Sequence, residues 1–203
     1  MVIGSVGGAA YLTASVLSDR RTTGTVVEDR SIQHRAHAAL RQDAELTEKA
    51  HITVTSYNLV VLLTGEAPSE ELRQRAGKLV SRLPRVRQVH NELRLAAPSD
   101  ILTRSGDALI SSRVKASLYA LDIEGFDPSK VTIVTEAGTV YLMGLLTPAE
   151  AEAVVEKARR VSGVQRVVKV FELFKPERSP PAVPSSPAAA GPAATVHTEP
   201  LQD

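Results

Sequence analysis

The 203-residue chain contains no cysteine. That removes disulfides, thiolate nucleophiles and cysteine-based metal sites. Tryptophan is absent as well, and aromatic residues make up 3% of the chain. A nucleic-acid platform of stacked rings, or a sugar cleft lined by them, has too little material. Nor is there an excess charge of one sign, because 24 Lys+Arg oppose 23 Asp+Glu. No global field draws the protein to nucleic acid or to a membrane, so any electrostatic function has to be local. A convincing membrane-spanning run of roughly 20 apolar residues is also missing. The N-terminal MVIGSVGGAAYLTASVL is apolar but interrupted by Gly, Ala and Ser, and it lacks the basic stretch that opens a signal peptide. Residues 1–25 are expected to be a flexible segment. The tail 176–203, rich in Pro, Ala and Ser, has no periodic apolar face and is expected to be disordered.

What the middle does contain is a repeat, with a period of about 78 residues. SIQHRAHAAL, HITVTSYNLVVLLTGEAP and EELRQRAGKLVSRLPRVRQVHNELRL in the first copy answer to LISSRVKASL, VTIVTEAGTVYLMGLLTP and AEAEAVVEKARRVSGVQRVVKVFEL in the second. Ile32 pairs with Ile110, Arg35 with Arg113 and Leu40 with Leu118. Further on, Gly65 pairs with Gly144, Val86 with Val164 and Val89 with Val167.

Each copy parses as helix, strand, strand, helix, strand. Ile52/Val54 and Val131/Ile133 alternate with other residues in the manner of half-buried strands. Ala137-Gly138 supplies a tight hairpin turn, and Asn58 is its equivalent in the first copy. Thr147-Pro148-Ala149-Glu150 has the order of a helix start, with Thr as cap, Pro first and Glu reaching back. Ser162-Gly163 and Leu83-Pro84 mark helix ends. A three-stranded unit of some 70 residues is marginal alone, so the two copies are expected to pack on each other.

The sequence of a helix, a V-x-V-T strand, a V-x-L-x-G strand, a second helix and a closing S-G-V-x-x-V strand resembles the BON domain. It stands here as ITVTSYNLVVLLTG…LPRVRQVHNEL and as VTIVTEAGTVYLMGLLTPAEA…RRVSGVQRVVKVF, and the likeness runs from about Thr22 to Lys175. The resemblance implies an α+β protein of two tandem BON domains, residues 26–97 and 98–175. Each would be αββαβ, a three-stranded mixed sheet packed on two helices. It further implies a periplasmic protein tethered to the outer membrane, supporting envelope integrity and gathering at the division site, with no cofactor. The second domain would bind anionic phospholipids such as phosphatidylglycerol and cardiolipin in the inner leaflet of that membrane. Tethering would use an acylated Cys just before Val2, where Met1 stands. Envelope proteins are the other expected partners, and nucleic acid is not one.

Motifs for catalysis or metal binding are weak. His34 and His37 have a metal-ligand spacing but no third ligand, and His51, His90 and His197 are scattered. Ser112-Arg113-Val114-Lys115 matches S-x-x-K without the companion motifs of acyl-transfer enzymes. Gly4, Gly7 and Gly8 form no dinucleotide loop. Glu70/Glu71 and Glu150/Glu152/Glu156 read as solvated helix faces. The chain is expected not to be an enzyme.

One stretch is unusual. DALISSRVKASLYAL, from Asp107 to Leu121, places Ile110, Val114, Leu118 and Leu121 on one buried stripe. Leu109 and Tyr119 face elsewhere. Their counterparts in the first copy are Ser31 and Arg41, so the fold does not require apolar residues there. The outer face comprises Leu109, Ser112, Arg113, Ala116, Tyr119 and Ala120, flanked by Lys115. Apolar groups ringed by cations suit an anionic lipid surface. In the family, the matching helix is the lipid-contacting element, with Trp where Leu109 stands. A contact with the sister domain is the other use of the same residues, and a protein-docking adaptor is the alternative function.

Overall fold

Thr22 sets the start of the first helix, because its hydroxyl accepts the Thr25 backbone N–H at 3.1 Å and satisfies a donor the first turn leaves orphaned. The computed structural model of the chain describes residues 20–174, so the tail and most of the N-terminal segment lie outside the described residues. Helix α1 (Thr23–Gln42) begins three residues ahead of the boundary the sequence suggests. Asp43 ends it and caps a short α2 (Ala44–Lys49) by accepting the Leu46 N–H at 3.1 Å. Strands β1 (His51–Tyr57) and β2 (Val60–Ala67) pair antiparallel across a two-residue turn, Asn58-Leu59, with φ of 52° and 65°. Two left-handed residues in succession match the twist of a hairpin. Ser69 caps α3 (Glu70–Ser81), which stops just before Leu83-Pro84. Then β3 (Gln88–Asn91) joins β2 in parallel, and β4 (Arg94–Leu95) continues that pairing.

The second module repeats this plan. Asp100 caps α4 (Ile101–Leu118) by accepting the Thr103 N–H at 2.8 Å. A one-turn 3-10 helix, Pro128–Lys130, stands where the first module has α2. β5 (Val131–Glu136) and β6 (Thr139–Leu146) pair antiparallel across Ala137-Gly138, with φ of 44° and 72°. The Thr147/Glu150 capping box is formed at both ends and starts α5 (Pro148–Arg159). β7 (Arg166–Leu173) closes the sheet parallel to β6. Strand orders are β1-β2-β3 and β5-β6-β7, each sheet mixed, as the sequence leads one to expect. The additions are α2 and β4.

Period-two alternation explains how the modules meet. Val54, Val61 and Leu63 point to the helices of their own module, against Ile32, Ala36, Leu72 and Ala76. Val140, Leu142 and Leu146 do the same against Val114, Leu118, Val154 and Ala158. The opposite sheet faces form a third cluster, in which Tyr57, Val60 and Leu62 pack on Tyr141, Met143 and Val170. The sheets are therefore back to back and the helices are the outer layers. Polar contacts rim the junction. Leu145 N–H donates to the Tyr57 hydroxyl at 3.4 Å, and Arg20 donates to Glu150 at 2.5 and 2.9 Å. Arg87 and Asn58 both reach Glu172.

Candidate functional site

Helix α4 lies in an outer layer, and that position decides the fate of its second face. Val114 and Leu118 are buried, with Ile110 and Leu121 packed beside them. Leu109 is 51% exposed and Tyr119 65% exposed. Neither side chain is sealed in the module junction, which is made by the sheets. Ser112, Arg113, Ala116 and Ala120 are exposed as well. Because the helix begins at Ile101 and not at Asp107, it carries two more exposed apolar residues, Ile101 at 77% and Leu102 at 80%. At heptad spacing, Leu102, Leu109 and Ala116 form one row and Ser105, Ser112 and Tyr119 the next. The face runs about 26 Å along the helix.

The cations on this face differ in availability. Lys115, expected at the flank, is turned inward: its ammonium donates to the Pro128 carbonyl at 2.6 Å and the Val131 carbonyl at 3.0 Å. Burial holds its pKa below the usual lysine value, opposed in part by Asp127. Arg113 is exposed and makes no hydrogen bond or ion pair among the described residues. Arg35, its counterpart on α1, bonds Ser31 at 2.9 Å and Glu28 at 2.6 Å. Arg104, exposed one turn after the helix start, adds a second cation that the shorter helix read from sequence omitted. Asp122 and Glu124 follow the helix, so the positive stretch is its middle. Beside Tyr119, a shallow groove between α4 and β5 is lined by Ser112, Lys115, Ala116, Ser129, Val131 and Ile133.

The other sequence motifs resolve plainly. Ser112 donates to the Ala108 carbonyl at 2.9 Å and Lys115 is held by other carbonyls, so the S-x-x-K pair is not joined as nucleophile and base. His34 and His37 share α1. Burial, Arg41 and His34 lower the His37 pKa. His197 lies outside the described residues.

Two buried aspartates went unremarked in the sequence. The Asp29 carboxylate accepts the backbone N–H groups of Asn58 and Leu59, each at 2.8 Å, and the Ser56 hydroxyl at 2.8 Å. The Asp107 carboxylate accepts those of Ala137 at 2.7 Å and Gly138 at 2.9 Å. Each locks its own hairpin turn onto the first helix of its module. The signal was available: Asp29 and Asp107 precede Ile32 and Ile110 by three residues, in register with the buried stripe.

A BON domain family model matches residues 28–97 and again residues 106–173. The chain belongs to the BON-domain family. The chain is similar to the outer membrane lipoprotein DolP of Haemophilus influenzae, with 31% identity over 84% of this chain and 87% of that protein. The 21 kDa hemolysin of Actinobacillus pleuropneumoniae is 37% identical over 75% of this chain and 78% of its own length. Osmotically-inducible protein Y of Escherichia coli is 29% identical over 74% of this chain and 75% of its own. Among the described residues, no helix is long and apolar enough to cross a membrane.

Proposed function

We propose that this BON protein is a non-enzymatic, outer-membrane-associated component of the bacterial envelope, whose second module contacts anionic phospholipid through the outer face of α4. The observation that carries the reading is the exposure of Leu102, Leu109 and Tyr119 on neighbouring rows of an outer helix, beside Arg113, which has no partner among the described residues. Similarity to an outer membrane lipoprotein supports a periplasmic site facing the inner leaflet of that membrane, reached through an N-terminal acyl anchor. The same similarity supports a role in envelope integrity, and action at the division site is part of the proposal.

Magnitudes set the mode of attachment. Full burial of a Leu or a comparable side chain gives about 1.5–3 kcal/mol, and each nearby cation adds about 1 kcal/mol. Orientation and ordering costs remove several kcal/mol. What remains is weak, reversible contact that works as a second signal beside an acyl chain. Co-sedimentation with phosphatidylglycerol or cardiolipin vesicles tests this. Binding should fall with salt and vanish on neutral vesicles. If Leu109→Glu with Tyr119→Glu leaves vesicle binding intact in folded protein, the assignment fails.

A protein adaptor is the second reading, favoured by a specific feature. β7 is an edge strand beside a cleft of ≈ 540 Å³ lined by Ala151, Val155, Phe171 and Leu173, and an extended peptide adds to such an edge. Binding insensitive to anionic lipid but lost on altering this edge would favour it.

A further inference from the structure

The module junction holds an unusual group. His51 opens β1, Glu66 stands opposite it on β2 as its cross-strand partner, and Glu136 ends β5 of the other module. One imidazole nitrogen and one oxygen from each carboxylate lie within 4.8 Å of one another. Glu66 is 1% and Glu136 4% exposed. Buried carboxylates are costly unless a donor or a cation compensates them. Yet Glu66 Oε1, Glu136 Oε1 and His51 Nδ1 have no hydrogen-bond donor among the described residues. The other Glu66 oxygen accepts the Ser99 N–H at 3.1 Å. Arg94, the nearest guanidinium, is 4.0 Å from Glu66 Oε1, beyond hydrogen-bond reach. Two carboxylates thus converge with an imidazole, and the described residues offer no hydrogen-bond donor to one oxygen of each or to His51 Nδ1.

The geometry points to a site for a divalent transition metal, zinc by preference, held by His51, Glu66 and Glu136 across the junction of the two modules. Bonds of about 2.0–2.2 Å to a tetrahedral ion put neighbouring ligand atoms about 3.3–3.6 Å apart. His51 Nδ1 and Glu66 Oε2, the oxygen that also accepts the Ser99 N–H, are 3.5 Å apart. One nitrogen and two oxygens suit zinc better than calcium or magnesium, which take six or more oxygen ligands. Three protein ligands leave a fourth position for water. A cleft of ≈ 250 Å³ between β1 and α4, reaching His51 and Glu136, is the entry path.

Gly65 keeps the strands close enough for this. Its φ is +113°, and a Cβ there would sit 2.1 Å from the His51 carbonyl oxygen. Burial, with the Glu66 carboxylate and Asp107 near it, pushes the Glu136 carboxyl up to about 7. A bound ion would pin both strands of one module to the other. Its role is that of a staple.

The full chain, free of affinity tags and treated with EDTA, should be titrated calorimetrically with zinc chloride at pH 7.5, and melted with zinc, magnesium or calcium. The expected result is one zinc per chain and a higher Tm with zinc alone. Glu136→Gln, a neutral isostere that also relieves buried charge and so still folds, should weaken zinc binding by more than ~tenfold. His51→Ala should do the same, while His34→Ala with His37→Ala should bind like the parent. The inference is overturned if micromolar zinc does not bind, or if either the Glu136 or the His51 variant retains parental affinity. It is also overturned if only the α1 histidine variant loses binding. A parent chain that ignores zinc, with a Glu136→Gln variant more stable than it, would show that the two carboxylates share a proton instead.

Discussion

Asp29 and Asp107 occupy matching places in the two modules, and each turns a buried carboxylate onto the backbone of its own hairpin turn. Hydrogen bonds to a charged acceptor are worth about 1.5–3 kcal/mol, and leaving buried N–H groups unpaired costs a similar amount. Asp107→Ala should therefore lower the unfolding free energy by about 2–3 kcal/mol in urea titrations. Asp29→Ala should cost at least as much, since that carboxylate also receives Ser56 and pairs with Arg21 at 2.9 Å.

The arginines at matched helix positions should separate binding from folding. Arg113→Gln should weaken binding to phosphatidylglycerol vesicles by about fivefold at low salt, the equivalent of ~1 kcal/mol, with little change in Tm. Arg35→Gln should leave vesicle binding unchanged and lower stability by about 0.5 kcal/mol through loss of the Glu28 pair. Equal losses of binding in both variants would remove the distinction between the two helices.

Lys115 should behave in the opposite way to Arg113. Its ammonium holds two carbonyls, so Lys115→Ala is expected to destabilise the second module by about 1–3 kcal/mol. Vesicle binding per folded molecule should change less than with Arg113→Gln. Circular dichroism melting and co-sedimentation on the same samples check both statements.

In metal-free buffer, Glu136 should impose a pH dependence. Its carboxyl is raised from 4.5 to about 7 by burial first, then by the charges of Glu66 and Asp107, with Arg94 opposing and His51 alongside. The folded chain then holds more protons than the unfolded chain between those values, so stability falls as pH rises from about 4.5 to 7 and levels off above. The span of that fall is about 3 kcal/mol at most. Glu136→Gln should flatten it and be the more stable protein at pH 8. A parental curve that rises across this window would contradict the assignment.

Much of the fold was legible because it rests on local chemistry. The Thr147-Pro148-Ala149-Glu150 cap, the Ala137-Gly138 turn and the alternation of Ile52 and Val54 each state their own geometry. The start of α4 was not legible. Ile101 and Leu102 are exposed apolar residues, so they break the periodicity by which a helix is recognised, and only the Asp100 cap reveals them. Lys115 could not be told from Arg113 by type or spacing, since what separates them is the position of two carbonyls, one from the 3-10 helix and one from the start of β5. His51, Glu66 and Glu136 were further out of reach. His51 and Glu66 face each other across one hairpin, but Glu136 joins them only because two sheets meet face to face, a relation that no repeat within the sequence encodes.

That meeting of sheets has a corollary for dissection. Half of this chain, cut in the linker near Pro98, would show water a bare layer of Tyr57, Val60 and Leu62, or of Tyr141, Met143 and Val170. Such a fragment has one ready remedy, another copy of itself. Isolated halves should then self-associate into pairs, and tandem fusion converts that encounter from a matter of concentration into a property of each molecule.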